Sequence, residues 1–147
     1  MAVSLDAFTG VIGARLAEGW PTFPQSVPNE AGPTPWATYF FVHTADRVML
    51  GSGGFKGPPT DGLGSIGTVE IGYEIAPSYR RRGLATEAAA GLVVFAFDHD
   101  EVHAVLAHTL AHPGPSPALL RTVGFERTQE LADPEDGHIW QWRLERP

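Results

Sequence analysis

Residues 69–88, VEIGYEIAPSYRRRGLATEA, decide the fold of this chain of 147 residues. The first part alternates: Ile71, Tyr73 and Ile75 lie on one face, and Glu70, Gly72 and Glu74 on the other, which predicts a strand over Thr68–Ile75. Ala76-Pro77 ends it, and a helix is predicted over residues 85–97, with a small-residue face of Ala88, Ala89 and Gly91. A strand that turns directly into a helix brings unpaired backbone N–H groups and the positive end of the helix dipole to one spot. Such a spot binds phosphate. Gly83 and Ala85 leave room for a ligand to approach the backbone, Thr86 adds a hydroxyl, and Arg80, Arg81 and Arg82 add charge.

Upstream, residues 37–43 (ATYFFVH) and Val48–Phe55 flank Ala45-Asp46-Arg47 and read as a hairpin. The cluster GSGGFKG at 51–57 lacks dinucleotide-binding spacing and reads as a hairpin end; there is no G-K-S/T. Residues 5–18 have helical spacing in Leu5, Phe8, Val11, Ile12 and Leu16, and a Pro-rich loop follows. Downstream, 102–110 is apolar on both faces like a central strand, 116–123 is a short helix, and 139–144 is a last strand. The order (helix, three strands, helix, strand, helix, strand) predicts an α/β (α+β) domain over 1–147, a mixed sheet with helices on its faces.

Composition narrows the chemistry. With no cysteine, disulfides, cysteine-rich zinc sites and a cysteine nucleophile are excluded. A formal net charge of −7, from 10 Lys+Arg against 17 Asp+Glu, argues against nucleic acid and suits a cationic or amine substrate. No apolar run approaches the ~20 residues of a membrane span, so no membrane partner is expected. The N-terminus has no basic region followed by an apolar stretch, and the expected compartment is the cytoplasm. His99-Asp100-Glu101-Val102-His103 resembles H-E-x-x-H with the glutamate one position late, so no metal site is expected.

The turn R-x-x-G-x-A (Arg80, Gly83, Ala85) resembles the Q/R-x-x-G-x-G/A signature of the GNAT superfamily of acetyl-coenzyme A-dependent N-acetyltransferases. With VHAVLAHTL and SPALLRTVGF downstream, the ordered set resembles the branch containing the ribosomal-protein N-terminal acetyltransferases. The resemblance implies a largely antiparallel sheet with helices on both faces, and acetyl-CoA as co-substrate. It further implies a peptide N-terminus or small-molecule amine as acceptor, and with no cysteine to carry an acetyl group, direct transfer in a ternary complex is expected. The competing class is a non-catalytic acyl-CoA-binding module; whether the chain forms a homodimer is left open.

Two departures from the family are visible: its first strand is missing or reduced to Ala2-Val3-Ser4, and His112-Pro113-Gly114-Pro115 stands where the branch carries an Asn before its helix Ser. By resemblance, Glu74, Ile75 and Ala76 hold the pantetheine arm by their backbone, and the turn Arg80, Arg81, Arg82, Gly83, Leu84, Ala85 and Thr86 holds the phosphates. Glu70 is the expected base, with Glu74 its rival; a solvated or cross-strand-paired carboxylate is the plainer reading. Ser116 is the expected acid or hydrogen-bond partner of the thiol, although Ser-Pro at a helix start is also an N-cap with Pro at the first position. Trp20, Phe23 and Trp36 read as either an acceptor pocket or core, and Trp140 and Trp142 as packing.

Overall fold

The computed structural model describes residues 2–3, 35–45, 47–59, 67–76 and 79–147. The helix expected over 5–18, most of the Pro-rich loop, Trp20 and Phe23 lie outside the described residues. The elements are β1 (Ala2–Val3), β2 (Thr38–His43), β3 (Val48–Phe55), β4 (Thr68–Ile75), α1 (Leu84–Phe97), β5 (Ala104–Leu110), α2 (Pro115–Val123), β6 (Glu126–Asp133) and β7 (Gly137–Glu145). They form one sheet in the order β1-β2-β3-β4-β5-β7-β6. Every neighbouring pair is antiparallel except β4 and β5. A first strand is therefore present: among the described residues, Ala2 and Val3 pair with Phe41 and Phe40.

The alternation read in β4 is realised, with Val69, Ile71 and Ile75 buried. In α1 the buried residues Ala89, Leu92, Val93 and Ala96 follow helical spacing, a stripe that faces the sheet. Trp36 stacks edge-on to Phe55 at 5.0 Å and to Phe95 of α1 at 6.0 Å, so it belongs to the core and not to an acceptor pocket. From α2, Leu120 enters the same core, and Arg121 lies over Trp142, which is fully buried. Both described helices thus pack on the face that carries Ile71 and Trp142. No helix among the described residues is long and apolar enough to cross a membrane.

Two expectations need correction. The glycine cluster at 51–57 is no hairpin end: Gly51, Gly53 and Gly54 lie inside β3, paired on both sides. A Cβ on Gly54 would stand 2.1 Å from the Ala37 carbonyl oxygen, so the backbones approach too closely for any side chain. The second is a strand absent from the expected order. β6, ERTQELAD, is an edge strand exposed along most of its length, and its charges suit that position.

Candidate active site

Strands β4 and β5 pair only from Thr68↔Ala104 to Glu70↔Leu106, although β4 continues to Ile75 and β5 to Leu110. Beyond Glu70 the two strands part and leave a gap inside the sheet. Hydrogen bonds from Lys56 N–H to Glu70 O (3.0 Å) and from Ala76 N–H to Leu50 O (2.7 Å) fix the alternation along β3 and β4. Even-numbered β4 residues turn their backbone groups to β3, so those of Ile71, Tyr73 and Ile75 face the gap. Of the three residues expected to hold a pantetheine arm, Ile75 alone points there. Glu74 is paired with Ser52, and Ala76 bonds to Leu50 and, through its carbonyl, to Tyr79 N–H.

The gap opens towards the turn before α1. Arg80 Nε donates to the Ile75 carbonyl (3.0 Å), which ties the turn to the strand end and commits that guanidinium to the scaffold. Arg81 and Gly83 both adopt left-handed backbone, at φ 62 and 76. Gly83 caps α1, and among the described residues no side chain caps its first N–H groups and a Cβ at Gly83 would meet nothing within 4 Å. Arg81 and Arg82 are exposed beside this terminus, with Arg82 over the Tyr79 ring at 4.9 Å. Unpaired amides, positive dipole and two arginines converge on one open surface, the arrangement that fits a pyrophosphate.

On the sheet face away from α1, Glu70 has close partners. Its Oε1 lies 2.6 Å from His108 Nδ1 and 2.9 Å from Lys56 Nζ, and His108 Nε2 faces Gln141 Oε1 at 3.3 Å. The cross-strand pairing considered for Glu70 is therefore real. His108 is the functional candidate that sequence reasoning missed. Only the parallel register of β4 and β5 puts it beside Glu70, and no spacing within one strand encodes that. Glu74 accepts a long hydrogen bond from Ser52 Oγ at 3.4 Å. Beside Glu74 runs an open groove of about 270 Å³, lined by Thr38, Ser52, Gly54, Lys56 and Gly72 among others, and its Lys56 reaches Glu70. A larger, mostly apolar cavity of about 510 Å³ lies between β2 and α1; it touches Leu84 and Glu87 but none of Glu70, Glu74 and Ser116.

On the α1 face, Tyr73 and Ser116 share a side-chain hydrogen bond across the gap. Burial raises the Tyr73 phenol above its usual range, and the Ser116 contact opposes that shift more weakly. Ser116 does not cap α2: the cap position is Gly114, Pro115 opens the helix, and no side chain bonds there. Glu70 and the Tyr73–Ser116 pair thus stand on opposite faces of the sheet, with the gap between them. His99 packs on Trp36 and Phe95 with Nδ1 at the Phe95 carbonyl. Among the described residues no group of three or more His, Asp or Glu is placed to hold a metal ion.

Residues 14–126 match the family described as the acetyltransferase (GNAT) domain. The chain belongs to the GNAT acetyltransferase family. A relative among curated proteins is the uncharacterized N-acetyltransferase YjdG of Bacillus subtilis (strain 168), 27% identical over 116 residues, covering 79% of this chain and 67% of that one. Solved GNAT structures share the fold. Ribosomal-protein-S5-alanine acetyltransferase from Vibrio fischeri superposes with a TM-score of 0.64 at 13% identity, over 74% of this chain and 60% of that one. An aminoglycoside acetyltransferase solved in complex with coenzyme A gives 0.62 at 20% identity, over 74% and 65%. The chain therefore spans less than two thirds of the length of these solved relatives.

Proposed function

We propose that this GNAT protein transfers the acetyl group of acetyl-CoA to a primary amine, directly and within a ternary complex. The observation that carries the reading is the gap itself: β4 parts from β5 at Glu70 and leads to the α1 N-terminus, where no described side chain bonds the first N–H groups. Backbone groups of Ile71, Tyr73 and Ile75 bond the pantetheine arm as an added strand would. The amides of Gly83, Leu84, Ala85 and Thr86, with Arg81 and Arg82, hold the pyrophosphate, and Arg80 braces the turn. Acetyl-CoA supplies the activated acyl group.

Glu70, held by His108, takes a proton from the incoming ammonium. Ser116 acts together with Tyr73, whose buried phenol keeps its proton at neutral pH and can give it to the departing thiolate. Without a cysteine, an acetyl-cysteine intermediate is excluded, which favours direct transfer. The acceptor is a small-molecule amine or a peptide N-terminus, reached through the groove beside Glu70. The test is thiol release from acetyl-CoA across a panel of peptides, polyamines, aminoglycosides and amino acids. Turnover with one class supports the reading. Coenzyme A binding without turnover of any amine leaves an acyl-CoA-binding module instead.

A further inference from the structure

Lys56 is the sole lysine of the chain; its other basic side chains are arginines and histidines. That one primary ammonium does not sit on an arbitrary surface. Its Nζ lies 2.9 Å from Glu70 Oε1, the same oxygen that meets His108, and its Cε is 3.8 Å from where a Cβ on Gly72 would stand. The side chain therefore lies across the glycine floor of the groove, with its amine at the residue where β4 and β5 part. It is 63% exposed, so nothing in its packing locks it there. A tethered alkylammonium occupies the position that the acceptor amine takes in the acetyl-transfer reading, on which this inference rests.

We propose that Lys56 is a self-acetylation site, an internal acceptor used when no free amine fills the groove. Glu70 removes one proton from the Lys56 ammonium, and the freed lone pair on Nζ attacks the thioester carbonyl of bound acetyl-CoA. The N–C bond forms and the C–S bond breaks. A second proton from the nitrogen ends on the thiolate, so the products are ε-acetyl-lysine, coenzyme A thiol and one proton passed from Glu70 to solvent. The acetylated side chain has lost its charge and with it the ion pair to Glu70. The modification thereby frees the carboxylate for an external amine.

The experiment incubates the purified full chain with acetyl-CoA and no added amine, then maps acetylated peptides by mass spectrometry. A single acetyl group on Lys56 is expected, at a rate independent of protein concentration. Excess coenzyme A suppresses it by competition, Ala85→Asp abolishes it, and Glu70→Gln slows it by about tenfold or more. Acetylation that persists under excess coenzyme A, or that speeds up with protein concentration, overturns the proposal as adventitious or intermolecular. Turnover of an added amine with Lys56 unmarked overturns it while leaving the acetyltransferase reading intact. No mark, no turnover and no coenzyme A binding removes both.

Discussion

Glu70 and Glu74 share one face of β4, about 13 Å apart at ~3.3 Å per residue, yet they keep different company. Glu70 meets a histidine and a lysine at the point where the strands part, whereas Glu74 meets the Ser52 hydroxyl further along. An alkylammonium near pKa 10 is mostly protonated at neutral pH, so loss of its base lowers kcat/KM and leaves the rate climbing further with pH. Glu70→Gln is expected to lower kcat/KM at pH 7 by about 10²-fold or more, with Glu74→Gln much milder. His108→Gln should fall between them, because it removes the group that orients Glu70. Profiles of kcat/KM against pH decide; a loss confined to Glu74→Gln reverses the assignment. For the proton donor, Tyr73→Phe should lower kcat more than Ser116→Ala. Since Ser116 caps nothing, Ser116→Ala should lose no cap, and its stability cost should be the ~1 kcal/mol of the hydrogen bond to the Tyr73 phenol. Equal and full turnover in both variants would leave the thiolate to solvent.

Among the elements, β4 was legible from its alternation because it buries one face, and α1 and α2 each bury one stripe. Strand β2 was legible from aromatic and β-branched residues that are buried on both faces. The β6 strand escaped because ERTQELAD is exposed on both faces and carries no apolar alternation. The glycines of β3 escaped for the opposite reason: they serve backbone approach and present no side chain to read. The turn was legible as chemistry but not as geometry. No pattern told that Arg80 would bond to Ile75, or that Gly83 would be left-handed. That geometry matters for mutagenesis. Gly83→Trp should block coenzyme A, but at φ 76 any L residue also carries about 1–2 kcal/mol of strain, so a lowered melting temperature is expected with it. Ala85→Asp, one residue into α1, has no such backbone penalty and puts a like charge against the pyrophosphate. If Gly83→Trp binds coenzyme A as wild type does, the phosphates lie elsewhere.

Across the whole molecule, Trp142 of β7 is the largest fully buried side chain among the described residues. It is fully buried between β5 and α2, and its Nε1 donates to Thr109 Oγ1 at 2.9 Å. Trp142→Ala should cost about 3–5 kcal/mol of stability, read from denaturant titration. Of the candidate site, the linear motif was readable and the long-range part was not. His108 beside Glu70, Ser116 beside Tyr73 and the parting of β4 from β5 all depend on strand order and register. In the proposed function, this gap and the α1 N-terminus together hold coenzyme A. Calorimetric titration of coenzyme A into the wild-type chain and into Ala85→Asp tests it most directly. One-to-one binding by wild type, weakened at least about tenfold in a folded Ala85→Asp that melts as wild type does, is the predicted result. Equal affinity in the two proteins, or no binding by the wild type, would contradict it.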